Sequence, residues 1–213
     1  MWSSVLFERA HRLAKAETLY TLCSIGAALF LFSILVRVKA TYRIDLTVTT
    51  YFQKMDHPWM TRLAHWATFA GNSSTILVLT IPIGAWLIYR GMADAAVLLA
   101  LSHVSLLVST GLKNMVDRER PGEHEARNYG GPRWSFSYPS GHSMGSAAFY
   151  GFIGALIAVS APGINPWAWV FGSLPLVIGL SRIYLGAHWF SDVVGGWTGG
   201  VWFVFLLTAL YRA

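Results

Sequence analysis

The chain has 213 residues, of which 54% are hydrophobic and only 12% charged, with a formal net charge of +6. That charged share is about half of what a soluble globular domain carries, which excludes a soluble fold and makes membrane lipid the expected surroundings. Most of the length lies in apolar runs, so residues 1–213 are read as one membrane-integral domain.

A spanning helix needs roughly 20 mostly apolar residues, and backbone left unpaired in lipid is costly enough that such runs must be helical. The first run is Thr18 to Val36. Arg9, Arg12 and Lys15 precede it and Val38-Lys39-Ala40 loosely resembles a cleavage site, but the run is longer than the roughly 7–15 residues of a signal core, so it is expected to be retained as an anchor. The sole cysteine, Cys23, lies in it and is expected to be a small buried hydrophobe. Thr41 to Met60 mixes charges with Ile44, Leu46, Val48, Tyr51, Phe52 and Trp59, the composition of an interfacial amphipathic segment.

The second span falls within Leu63 to Tyr89, with Gly71-Asn72-Ser73-Ser74 as a polar interruption near its start. Ala95 to Leu112 is the third. From Trp134 to Ser181 there is no Asp, Glu, Lys or Arg. This is too long for one span, and Ala161-Pro162-Gly163-Ile164-Asn165-Pro166 divides it by turn chemistry into the fourth and fifth. Val193 to Tyr211 is the sixth. The expected fold is all-α, a polytopic six-helix membrane bundle with a short interfacial helix after the first span. Trp59, Trp66, Trp134, Trp167 and Trp189 near proposed helix ends read as interfacial anchors. Gly195, Gly196, Gly199 and Gly200 read as a close-packing surface on the last helix.

Counting crossings brings the chemistry to one membrane face. Lys113 ends the third helix, His142 opens the fourth, Arg182 ends the fifth, and His188 with Asp192 opens the sixth. One crossing fewer between any two of these would separate them by roughly 30 Å of hydrocarbon. A phosphate ester spreads charge over its equatorial oxygens and calls for positioned cations, which Lys113, Arg120 and Arg182 supply. Ser140 is placed to cap a helix, and Gly141 lets backbone N–H groups approach an oxyanion. His188 and Asp192 stand four apart, one helical face, so the carboxylate can orient the imidazole for attack on phosphorus. His65 and His103 read as structural. Arg118, Arg127 and Arg133 are candidates for a second phosphate or for lipid head groups. Asp117, Glu119, Glu123 and Glu125 read as a solvated loop face rather than a magnesium site.

The blocks Lys113 to Arg120-Pro121 (K-x6-R-P), Pro139-Ser140-Gly141-His142 (P-S-G-H) and Ser181-Arg182 with His188 and Asp192 (S-R-x5-H-x3-D) together resemble the three signatures of the type 2 phosphatidic acid phosphatase superfamily of lipid phosphate phosphatases. The resemblance implies His188 as nucleophile, Asp192 as its orienting acid and His142 as general acid. It implies Lys113, Arg120, Ser140, Gly141 and Arg182 as phosphate ligands, and neither metal nor other cofactor. It further implies a lipid phosphate substrate, such as undecaprenyl pyrophosphate, phosphatidylglycerophosphate or phosphatidic acid, with membrane lipids as the surroundings and neither nucleic acid nor an obligate protein partner. A lipid phosphotransferase using the same phosphohistidine is the alternative, and a non-enzymatic membrane protein a remote one. Vanadium-dependent haloperoxidases share the site pattern but are soluble. The family layout implies the bacterial inner membrane with the site on the extracytoplasmic face. Charge counting leans the other way, because Arg37, Lys39, Arg43, Lys54 and Arg62 as well as the catalytic cations would sit on the site face, against Arg9, Arg12, Lys15, Arg90 and Arg212 on the other.

Overall fold

The structure is a computed structural model that describes residues 15–127, 135–161 and 163–211. Among them are nine helices: α1 Ala16–Arg37, α2 Tyr42–Lys54, α3 Pro58–Ala70, α4 Ser73–Tyr89, α5 Ala93–Leu101, α6 Val104–Val116, α7 Gly141–Ser160, α8 Pro166–Tyr184 and α9 Phe190–Tyr211. Five stretches are long and apolar enough to cross a membrane by themselves: α1, α5 with α6, α7, α8 and α9. The pair α3 and α4, bent by 55°, makes a sixth if taken as one span. This is the expected six-helix membrane bundle, with α2 as the amphipathic helix after the first span.

The departures from the sequence reading are local. The second span is broken at Gly71 and Asn72, where a side chain on Gly71 would strike Ile178 at 2.4 Å, so α3 can lie close against α8 only without a Cβ there. The third span bends at Ser102 and His103, and His103 Nε2 lies 2.8 Å from Thr80 Oγ1, a structural bond across helices. Cys23 faces outward rather than into the core. Helix α1 is apolar on every side, so its sequence does not mark which face packs, and the expectation of burial fails for that reason.

Helix α7 is the axis of the bundle, and most of its length is buried between α8 and α9. The glycines of α9 allow this. A Cβ on Gly196 would lie 2.7 Å from the Ser140 carbonyl oxygen, one on Gly199 2.4 Å from Met144 Cε, and one on Gly200 2.3 Å from Ala147 Cβ. The main core lies toward the other end, where Phe149, Phe152 and Leu156 of α7 meet Leu98 and Leu99 of α5 and Ile178 of α8. Because α7 and α9 both begin at one end of the bundle while α6 and α8 both end there, four termini gather around one place.

Candidate functional site

Each terminus is shaped by its own sequence. Helix α6 stops because Asp117 takes a left-handed conformation, φ 54°, and its N–H returns to the Lys113 carbonyl at 3.0 Å. Aspartate tolerates that conformation better than most residues. The chain then turns back over the helix end, carrying Arg118 and Arg120 inward. Helix α7 starts where Ser140 leaves the helical conformation and its hydroxyl accepts the Ser143 N–H at 3.4 Å. The first-turn N–H groups of Gly141 and His142 have no intrahelical carbonyl to bond. Among the described residues beyond its chain neighbours and own helix backbone, a Cβ on Gly141 would meet only Ser109 Oγ, at 3.7 Å, so these residues leave the approach to those amides unfilled.

The sequence places His188 and Asp192 together on one helix, whereas α9 begins at Phe190 and His188 precedes it. Asp192 is in the third helical position, and its Oδ2 reaches back to accept the Trp189 N–H at 2.8 Å, the reciprocal half of a capping box. That bond fixes the carboxylate beside the preceding imidazole. Nδ1 of His188 lies 3.4 Å from Asp192 Oδ2 and 3.3 Å from Ser137 Oγ, and the Ser137 hydroxyl itself donates to Asp192 Oδ2. The opposite nitrogen, Nε2, lies 3.3 Å from Arg120 Nη1. His188 and Asp192 are buried. Burial, then the charges of Arg120, Arg182 and Lys113, push the His188 imidazole well below its ordinary range, so it is neutral near pH 7.

The remaining candidates lie around the same place. Arg120 is anchored through Nε to the Ser135 carbonyl at 2.9 Å and through Nη1 to the Ala187 carbonyl at 2.7 Å, which aims its fork across His188. Arg182, buried, donates to Thr68 Oγ1 at 2.5 Å. Lys113 donates to the carbonyls of Phe136, Ser137 and Pro139 at 2.9, 3.2 and 2.8 Å. Its three N–H groups therefore hold the segment before α7 in place, and its charge reaches the site from behind that segment. His142 Nε2 lies 2.7 Å from Asn72 Oδ1.

Several neighbours were not singled out by sequence. Asn72 comes from the break of the second span, a stretch that reads only as a polar interruption, and Thr68 from the last turn of α3 before it. Arg118, a candidate for a second phosphate or for lipid head groups, instead spends its fork on two carboxylates, Asp45 at 2.6 Å and Asp192 at 2.9 Å. Asp45, fully buried on α2, also accepts the Ser191 N–H at 2.7 Å and the Ser191 and Thr41 hydroxyls, each at 2.8 Å. Trp189 is no interfacial anchor. It is buried, donates to the Glu119 carbonyl at 3.0 Å, and carries the Arg118 guanidinium 5.4 Å over its ring. Arg127 pairs with Asp56 at the surface. Glu125 accepts the Gly122 N–H at 2.6 Å and the Tyr42 hydroxyl at 3.3 Å. Arg133 and Trp134 lie outside the described residues.

Apolar helices that bring their polar ends, with a cluster of cations and imidazoles, to one end of the bundle define a polytopic membrane protein. The model of the PAP2 superfamily matches residues 91–213, more than half of the chain and every candidate from Lys113 to Asp192. The chain belongs to that superfamily. It is 30% identical over 193 residues to phosphatidylglycerophosphatase B of Bacillus subtilis, covering 84% of this chain and 91% of the relative. Over a shorter stretch of 73 residues it is 38% identical to an undecaprenyl-diphosphatase of Sulfolobus acidocaldarius, 33% of this chain and 32% of that one. Among solved structures it is similar to a transmembrane PAP2-type phosphatidylglycerolphosphate phosphatase from Bacillus subtilis, with TM-score 0.78, 27% identity, and 88% of this chain and 94% of the other covered.

Proposed function

We propose that this membrane lipid phosphatase works through a phosphohistidine on His188 and that phosphatidylglycerophosphate is its foremost substrate, with undecaprenyl pyrophosphate second. The observation that carries the mechanism is the placement of His188. One ring nitrogen is engaged by Asp192 and Ser137, while the other faces the Arg120 guanidinium. Asp192 keeps the proton on Nδ1, so the Nε2 lone pair is the nucleophile. Attack forms the phosphorus–nitrogen bond as the bond to the lipid oxygen breaks. His142, held through Nε2 by Asn72, takes up a proton once the substrate's phosphate charge offsets the neighbouring cations, and gives it to the departing alkoxide, or to the departing lipid phosphate when the substrate is a pyrophosphate.

In the second step the now neutral His142 takes a proton from water as that water attacks phosphorus. The phosphorus–nitrogen bond breaks, inorganic phosphate leaves and both imidazoles return to their starting states. Arg120, Arg182, the Lys113 charge and the Gly141 and His142 amides stabilise the equatorial oxygens, a positioned-charge contribution of the kind worth about 10²–10³ in rate for a single oxyanion donor. The full-length relative named for phosphatidylglycerophosphate supports the order of substrates.

The test is phosphate release by the purified protein in detergent from a panel of phosphatidylglycerophosphate, undecaprenyl pyrophosphate and phosphatidic acid, without added acceptor. Release is expected to be fastest with phosphatidylglycerophosphate and to vanish in His188→Ala. A His188→Ala protein that works near the parent rate would overturn the nucleophile. No free phosphate without an acceptor, with the phosphoryl group recovered on an acceptor alcohol once one is supplied, would make the protein a phosphotransferase instead.

A further inference from the structure

We infer that the Ser109 hydroxyl is an additional phosphate contact, set beneath the start of α7 and donating to one oxygen of the bound phosphoryl group. Serines and threonines inside helices commonly settle their hydroxyl on a carbonyl three or four residues back. This chain does so repeatedly: Ser33 on Leu29, Thr80 on Ile76, Thr110 on Leu106, Ser181 on Ile178 and Thr198 on Val194. Ser109 does not. It is 2% exposed, and its Oγ has no hydrogen-bond partner among the described residues. A buried hydroxyl left without a partner is costly.

Its position says what the partner is. Ser109 sits one helical turn before Lys113 on α6, on the same face. Its Oγ is 3.7 Å from where a Cβ of Gly141 would stand, and beyond Gly141's own chain neighbours and helix backbone no other atom of the described residues lies within 4 Å of that point. Gly141 is the first residue of a 20-residue helix, whose N-terminal amides favour an anion. The hydroxyl and those amides thus lie together at the start of α7, where His142 feels the charges of Arg182 and Arg120. A tetrahedral oxyanion offers the several acceptors they call for. Ser105 is also buried without a partner among the described residues, but it stands one helical turn further from Lys113, which makes it an internal control.

This inference rests on the phosphohistidine reading. The experiment measures kcat/KM for phosphate release and the inhibition constant of orthovanadate, an oxyanion that takes up the five-coordinate geometry of phosphoryl transfer, in the full-length protein. Ser109→Ala is expected to weaken both by about tenfold to a hundredfold, the range for a hydrogen bond to a charged group. Its melting temperature should equal or exceed the parent's, since an unpartnered buried hydroxyl has gone. Ser109→Thr, which keeps a hydroxyl, is expected to recover most of the orthovanadate affinity, and Ser105→Ala to match the parent. Parent-like values for Ser109→Ala would overturn the inference and leave the hydroxyl as packing. Equal losses in Ser109→Ala and Ser109→Thr, with a lowered melting temperature, would overturn it too. A parent whose phosphate release survives His188→Ala would instead remove the reading beneath it.

Discussion

At the scale of single residues, the state of His188 decides when the site can act. Burial disfavours the imidazolium, and the neighbouring Arg120, Arg182 and Lys113 charges disfavour it further. Protonation removes the attacking lone pair, so a lowered pKa keeps the nucleophile available on the acid side of the ordinary histidine range. The acid limb of kcat/KM, which reports the free enzyme, is therefore expected below pH 6.5, the unperturbed histidine value. A pH–rate profile in detergent checks this with a substrate whose own ionisation is measured separately. A limb at or above 6.5 that follows no substrate ionisation would mean that the cations do not act on His188. Arg120 feels the same burial, which pulls its pKa down, yet a guanidinium stays charged across the working range.

At the scale of elements, α2 is more than an interfacial float. Its Asp45 grips the first turn of α9 through the N–H and hydroxyl of Ser191, and grips Arg118, whose other arm holds Asp192. The orienting acid of the site is thereby tied to a helix lying some 150 residues earlier in the chain. Arg118→Gln and Asp45→Asn are expected to lower kcat by about tenfold to a hundredfold, the loss typical of groups that orient a histidine from behind. Arg118→Lys should recover part of that loss. The double variant should lose much less than the product of the two singles, since both changes break one chain of contacts. Strictly multiplicative losses would show two separate roles and remove the link from α2 to Asp192.

What could be read from sequence divides along the same line. The spans, their order and the cap at Ser140 were legible because apolar length, turn residues and capping chemistry are local properties. Lys113, His142, Arg182, His188 and Asp192 were legible because each lies at a helix terminus, where crossing number alone fixes the membrane face. Asn72, Thr68, Asp45 and Ser137 were not, because each acquires its meaning from a partner on another element, and no periodicity within a helix encodes that. Trp189 shows the opposite failure. A tryptophan near a helix end usually marks the lipid interface, but this one is enclosed by Arg118, Tyr42 and the loop carrying Glu119.

At the scale of the whole molecule, the distribution of paired charge bears on which way the protein faces. A plain count of cations makes the site end the richer one, which by the positive-inside rule would turn it toward the cytoplasm. The structure discounts part of that count. Arg118 is neutralised by two buried carboxylates and Arg127 is paired with Asp56, while Lys113, Arg120 and Arg182 are buried or half-buried around the site rather than spread along a loop. We propose that the site end faces away from the cytoplasm of a bacterial inner membrane. Replacing the sole cysteine by Cys23→Ser gives a background for two reporters. His124→Cys lies in the exposed loop at the site end, and Arg90→Cys lies in the exposed turn between α4 and α5 at the other. A membrane-impermeant maleimide applied to intact spheroplasts is expected to label the first and to reach the second only after the membrane is opened. The reverse pattern would place phosphate release in the cytoplasm, and with it the pool of lipid phosphate on which the enzyme draws.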